Sequence, residues 1–91
     1  MDPWVDCTTY SQGDKERIPR IWHIRLSQNR RIIVHRFRGC GGWFATFEPF
    51  FSTREVGDDL QEAKETAIRM AFQCVDELVA DLARLRGEVH P

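Results

Sequence analysis

The chain lacks the features that mark several large classes of protein. Its formal net charge is −1 over 91 residues, so it does not have the excess of basic residues typical of a histone-like protein. No apolar run approaches the ~20 residues that cross a bilayer, and no positively charged start precedes an apolar segment. The sequence therefore predicts a soluble, cytoplasmic protein with no membrane partner.

Cysteine is scarce, and its spacing argues against the common uses of paired cysteines. Cys7, Cys40 and Cys74 are odd in number and form no Cys-x-x-Cys pair. This usage fits reduced thiols better than a disulfide framework. The three histidines add no spacing typical of a zinc site. We expect no structural metal and no cofactor.

Catalytic residues are not indicated either. Cys40 lies among glycines, five residues after His35, and we interpret it as a turn residue rather than a nucleophile beside its base. The adjacent carboxylates at 58–59 and 76–77 fit helix capping and a solvated helix face. The sequence therefore predicts a protein that is not an enzyme.

What the chain does have is the composition of one small globular domain, 42% hydrophobic and 30% charged. A chain of this size buries only roughly 60–65% of its extended surface, so its core is thin. Its charge is divided unevenly. Residues 1–54 carry nine Lys and Arg against five Asp and Glu, whereas residues 55–91 carry four against nine. Such an asymmetry bears on partners rather than on the fold.

Three segments have the pattern of β-strands. Residues 21–27 and 43–48 alternate between two faces, and residues 31–38 are rich in β-branched side chains. Three glycines within 39–42 predict a tight hairpin before the third strand, and Pro49 ends that strand because it cannot donate a ladder hydrogen bond.

Residues 58–86 have the strongest pattern, that of a long C-terminal helix. Asp58 or Asp59, each followed three residues later by Gln or Glu, provides a capping box at its start. Gly87 stands where a left-handed cap would end it. Apolar and small residues recur at spacings of three and four: Leu60, Ala63, Ala67, Ala71, Cys74, Leu78, Leu82 and Leu85.

Together these segments predict a single α+β domain over residues 1–91. Residues 20–48 form a three-stranded antiparallel β-meander, and the helix packs on one of its faces, in the order βββα. Residues 1–19 form an irregular arm that docks partly, on its own sheet or on a partner, because a solvated tail would seldom keep Trp4. Residues 50–57 form a loop.

The predicted helix is too long for the predicted sheet. About 28 residues span roughly 42 Å, whereas strands of about seven residues reach only some 23 Å. The apolar arc of the helix is also about 200° wide, twice that of an ordinary surface helix. Either the arm and residues 50–51 fold over its large side chains, or these form an interface with a second copy or another partner, which we favour. The predicted interface residues are Ile68, Phe72, Val75 and Val79.

Arginines cluster in the part of the chain that forms the predicted sheet. Arginine beside an aromatic residue on a strand surface suits phosphate backbones and base stacking. It equally suits an acidic protein surface, and a merely solvated face is the third interpretation. The predicted partner-binding residues are Arg25, Arg31, Arg36, Arg38 and Phe44.

One resemblance concerns architecture. A short antiparallel meander with Trp43-Phe44-Ala45-Thr46, then a loop and a helix with Leu60-x-x-Ala63-Lys64-x-x-Ala67, resembles small phage and mobile-element accessory proteins, anti-CRISPR proteins among them. The resemblance implies a non-enzymatic inhibitor that occupies a surface of a host protein or ribonucleoprotein complex.

A second resemblance supports an alternative function. The G-x-W-x-A run at 41–45, with Ala63 and Ala67 early in the helix, is similar to DNA-binding modules such as the arm-binding domain of phage integrases. It implies a small nucleic-acid-binding module that uses the basic sheet face.

Overall fold

A five-stranded antiparallel sheet and one long helix make up the part of the fold that the structure describes. The computed structural model describes residues 2–10, 18–27, 29–36 and 41–89. The strands lie in the sheet in chain order, each antiparallel to the next. The elements are β1 (Val5–Asp6), β2 (Ile21–Ser27), β3 (Arg30–His35), β4 (Trp43–Glu48), β5 (Phe51–Gly57) and α1 (Leu60–Val89).

The α+β class and the C-terminal helix are confirmed, but the prediction of three strands is wrong. Residues 50–57, expected to form a loop, mostly belong to β5. Only Phe51 and Val56 of β5 are buried, with four exposed residues between them. The pairing of β5 with β4 shifts register twice, and Thr53 has a φ of 53°. Such irregularities remove the two-residue period by which a strand is recognised.

The described first part of the N-terminal arm, residues 2–10, docks on its own sheet, which is one of the two placements expected for the arm. β1 pairs with β2, and Trp4 beside it is 8% exposed. The Thr8 hydroxyl oxygen accepts hydrogen bonds from the backbone N–H of Arg20 (2.8 Å) and of Ile21 (2.9 Å). A strand of two residues is too short to show a period in the sequence.

The core lies between α1 and one face of the sheet. The helix presents alanines there, which allow its backbone to approach the strands closely, and aromatic residues of the sheet fill the remaining space. The structure also decides which face of β3 the helix covers: it is the face that carries Ile32 and Val34. The buried core residues of the sheet and helix are Ile32, Val34, Trp43, Ala45, Phe47, Phe51, Val56, Ala63, Ala67 and Ala71.

A buried cation joins the arm, β2 and α1. Lys64 is 7% exposed, and its ammonium group lies 4.1 Å from the centroid of the Trp22 ring and 5.8 Å from that of Trp4. An ammonium group over an indole ring is attracted by the negative face of the ring. Lys64 therefore holds the two tryptophans against the first half of the helix.

The ends of α1 differ from the predicted bounds of 58–86. The backbone N–H of Glu62 donates to Asp59 Oδ2 at 2.9 Å, so the capping frame at Asp59 is the one used. The prediction that Gly87 ends the helix is wrong, because α1 continues to Val89. A glycine inside a helix costs only about 1 kcal/mol relative to alanine, so it does not by itself stop one.

The helix extends well beyond the sheet, as its length predicts. Its 30 residues span about 45 Å, twice the roughly 23 Å of a seven-residue strand. The molecule accordingly measures 65 × 26 × 24 Å along its principal axes. From Val75 to Gly87 every residue of α1 is exposed.

Candidate interaction surfaces

The projecting half of α1 carries a row of large apolar side chains in the open. Phe72 is 68% exposed, Val79 58% and Leu82 57%. Of the predicted interface residues, Phe72, Val75 and Val79 belong to this row, whereas Ile68 is half-buried against the core. We call the row the helix stripe, and its members are Phe72, Val75, Leu78, Val79, Leu82 and Leu85.

The helix stripe continues at its packed end into an apolar groove between α1 and the sheet. The groove has a volume of about 360 Å³, and every side chain that lines it is apolar. Leu26, at the end of β2, is 52% exposed along its rim. The lining residues are Ile24, Leu26, Ile32, Phe47, Ile68, Ala71, Phe72 and Val75.

The alternative covering of these residues by the chain itself is not what the structure shows. Phe51 packs against Phe47, with ring centroids 5.9 Å apart, and Phe50 lies 4.8 Å from the same ring. The arm pairs with the edge of the sheet at β2. Phe72 and Val79 remain largely exposed.

Leu78, Leu82 and Leu85 belong to the periodic set recognised in the sequence, but they were not predicted as interface residues. They share the helical period with Ala63 and Ala67, so the period alone does not separate packed positions from exposed ones. The signal that could have separated them is the length of the helix relative to the strands.

The face of the sheet opposite α1 forms a second candidate surface, which we call the outer face. Pairing of β2, β3 and β4 arranges nine of its residues in three rows of three. Apolar and aromatic residues dominate the first two rows and charged residues the third. The rows are Ile21, His35 and Phe44; His23, Ile33 and Thr46; and Arg25, Arg31 and Glu48.

The charged row is partly neutralised within the chain. Arg31 Nε and Nη2 donate to Glu48 Oε2 and Oε1, each at 3.1 Å, in a two-pronged pair. The hydrogen bonds and charge of Glu48 raise the pKa of the Arg31 guanidinium. Arg25 is exposed beside this pair. The outer face is therefore less basic than the number of its arginines indicates.

The structure brings only part of the predicted arginine cluster together. Arg25, Arg31 and Phe44 share the outer face. Arg36 follows the end of β3; it lines the same depression of the outer face as Arg31 and His35, and its guanidinium carbon lies 5.1 Å from the centroid of the Trp43 ring. Arg38 lies outside the described residues, as do Gly39 and Cys40, the first two residues of the predicted 39–42 turn.

His35 adds to the apolar character of the outer face. Its ring centroid lies 6.1 Å from that of Phe44, and its Nε2 lies 3.4 Å from Thr46 Oγ1. Burial lowers the pKa of His35 below its usual value of 6.5, so the neutral ring predominates at neutral pH. A depression of about 400 Å³ lies beside it, and burial also raises the pKa of the Cys7 thiol on its wall.

Within the described ranges, no group of three or more His, Cys, Asp or Glu side chains is placed to hold a metal ion. No helix in that part of the chain combines the length and hydropathy that a bilayer span requires. The chain matches no protein-family model, no curated protein and no solved structure.

Proposed function

We propose that this chain is a non-enzymatic binding protein that acts by occupying a surface of a larger host complex in the cytoplasm. The observation that carries the proposal is the outer face, where Ile21, Ile33 and Phe44 lie across three adjacent strands with α1 on the opposite side of the sheet. Protein interfaces are enriched in aromatic residues and arginine at their centres. The outer face carries both kinds of residue, with Phe44 in its first row and Arg25 and Arg31 in its third.

The charge on the outer face favours a protein partner over a phosphate backbone. Arg31 is already paired with Glu48, and a lowered pKa keeps His35 mostly neutral. Arg25 supplies a cation at the rim, where it can steer an acidic partner without a large desolvation cost. Nucleic-acid binding normally needs several unpaired cations that neutralise phosphates.

The resemblance to small phage accessory proteins supports the same mode of action. Anti-CRISPR proteins, as members of that group, act by steric occupation of a nuclease or guide complex without catalysis. An inhibitor of this type needs a rigid surface and no reacting groups. The five-stranded sheet offers such a surface.

Affinity capture from bacterial cells with paired variants tests the proposal. We expect the wild-type chain to retain a defined protein partner and the Arg25→Glu, Phe44→Ala double variant to lose it, because both changes fall on the outer face. Ala80→Glu, on an exposed part of α1 away from the helix stripe, serves as the matched control and should retain the partner. Equal capture by the double variant, with its circular dichroism unchanged, would refute the assignment.

The alternative function, a nucleic-acid-binding module, stays a prediction. It can be tested with the same wild-type and variant proteins. Binding to duplex and single-stranded DNA is measured at low and at moderate salt. An affinity that falls steeply with salt and is lost in the Arg25→Glu, Phe44→Ala variant would favour the alternative. Absence of binding at moderate salt would count against it.

A further inference from the structure

We propose that the helix stripe binds a second copy of this chain, so that two α1 helices pair in antiparallel orientation. Such pairing goes beyond the proposed function, because it uses the opposite side of the molecule from the outer face. The spacing of the stripe is its first support. Phe72, Val75, Val79 and Leu82 follow one another at intervals of three and four, which is the spacing that a pair of helices buries between them.

The projecting part of the helix requires a contact that the described residues of its own chain do not provide. Residues 75–89 of α1 form about 22 Å of helix. Helical segments of about this length are marginal in water unless one apolar face is packed. Residues 75–87 are exposed throughout. A partner along the helix stripe would supply the missing packing.

The shape of the molecule fits a second copy in one orientation. The sheet lies at the N-terminal end of α1, so two projecting segments that lie antiparallel along their full length have their sheets at opposite ends, where the sheets do not compete for space. Such a pair has twofold symmetry and uses the same patch on both copies. A parallel pair would instead bring the two sheets to the same end.

Charge complementarity supports the antiparallel orientation. The register that sets Val79 opposite Leu82 of the second copy also sets Arg86 opposite Val75, next to Asp76. Within the described part of the chain, neither Asp76 nor Arg86 has an ion-pair partner. The antiparallel pair would therefore form two Asp76–Arg86 contacts. A parallel pair would place the two Arg86 side chains at the same level, where like charges repel.

The same register brings the end of the second helix to the mouth of the apolar groove. The last turn of the second helix comes level with Phe72, which lines the groove together with Ile68 and Val75. Each copy would thus bring its helix end to the groove of the other. The groove and the helix stripe become one continuous interface.

The first test is the mass of the protein in solution, measured by light scattering over a roughly hundredfold range of concentration. We expect the wild type to approach twice the 10.7 kDa of the chain. Val79→Glu with Leu82→Glu should raise the dissociation constant roughly tenfold or more, because it places carboxylates in the apolar interface. Ala80→Glu, on the side of the helix away from the stripe, should leave it nearly unchanged. A monomer at every concentration, or equal weakening by Ala80→Glu, would overturn the proposal.

The second test addresses orientation, and circular dichroism first establishes that both variants fold like the wild type. Arg86→Glu alone and Asp76→Arg alone should each weaken self-association, because each sets like charges together in both contacts. A mixture of the two variants should pair again, since the carboxylate introduced at position 86 of one chain then meets the guanidinium introduced at position 76 of the other. Native mass spectrometry with one isotopically labelled variant measures the mixed species. Random or absent mixing would overturn the antiparallel arrangement.

Self-association and partner capture depend on different surfaces, so the two proposals fail separately. Val79→Glu with Leu82→Glu changes the helix stripe, whereas Arg25→Glu with Phe44→Ala changes the outer face. If the outer-face variant still dimerises but captures no partner, both assignments are supported. If the outer-face variant loses self-association as well, the helix stripe is not the site of pairing.

Discussion

The two halves of α1 obey the same helical period but have different surroundings. Residues 60–71 place Ala63, Ala67 and Ala71 against the sheet, where all three are buried. Residues 72–89 place larger apolar side chains in the open. The buried apolar positions of the first half are alanines, but the larger Leu60, Ile68 and Met70 also pack against the core there, so the reach of the sheet along the helix is what separates the two halves. Alanines permit close approach of helix and strands, whereas large residues at the same period suit an approach by another helix.

The largest expected difference comes from removing one phenyl ring from the core beneath the packed half of α1 and one from the exposed half of α1. Phe47→Ala, in the core at 3% exposure, should lower the free energy of unfolding by roughly 3–5 kcal/mol through lost burial and a cavity. Phe72→Ala should change it by less than about 0.5 kcal/mol at protein concentrations where the chain is monomeric. Urea denaturation measures both values. Equal losses would show that Phe72 is packed in the monomer.

A second comparison enlarges one alanine in each half of the helix. Ala67→Leu should destabilise the fold by about 1–3 kcal/mol, because the added atoms have no space between α1 and the sheet. Ala80→Leu, at an exposed position, should stay within about 0.5 kcal/mol of the wild type. Thermal unfolding followed by circular dichroism reports both. A neutral Ala67→Leu would contradict the close approach.

A smaller loss of stability is expected from removing the N-terminal cap of α1, and a neighbouring aspartate provides the control. Asp59→Ala should cost about 1 kcal/mol, since the carboxylate accepts the Glu62 N–H hydrogen bond that caps the helix. Asp58→Ala removes the same charge one residue earlier and should cost clearly less. The two variants are compared by urea denaturation in the same buffer. An equal loss would mean that charge at the helix end, rather than the cap, is what stabilises it.

The smallest expected effect is a dependence of stability on pH, which arises from His35 in the sheet and not from the helix stripe. The pKa of His35 is lowered in the folded chain by burial, so the unfolded chain takes up the proton more readily. Stability should therefore fall as the pH drops through 6.5 towards the lower folded-state pKa. His35→Gln should reduce this decline between about pH 7.5 and about pH 5.5. An unchanged decline would assign it to other groups.

Much of the fold could be predicted because it follows from local patterns. The bounds of 21–27 and 43–48 agree with β2 and β4, and the helical period of α1 is regular over its whole length. β5 could not be predicted, because its register shifts hide the alternation between Phe51 and Val56. Gly87 was misleading, since a glycine near a helix end does not have to adopt a positive φ.

The candidate surfaces were predictable to different degrees. The helix stripe follows from the length and period of the helix, which are properties of the sequence alone. Three of the four predicted interface residues, Phe72, Val75 and Val79, are exposed members of it. The charge of the outer face depends on register. Arg31 pairs with Glu48 only because β3 and β4 align them, and residues 17 positions apart give no sign of this in the sequence. The neutralisation of that arginine could not be foreseen.

The irregular last strand has a consequence for how far copies of this chain can assemble. β5 forms one edge of the sheet, where the positive φ of Thr53 and two register shifts interrupt the row of backbone donors and acceptors. An unbroken edge would allow strands to add one after another into open-ended fibres. A twofold helix pair, by contrast, is complete after two chains. The chain can thus expose a large apolar row while its sheet stays protected from unlimited growth.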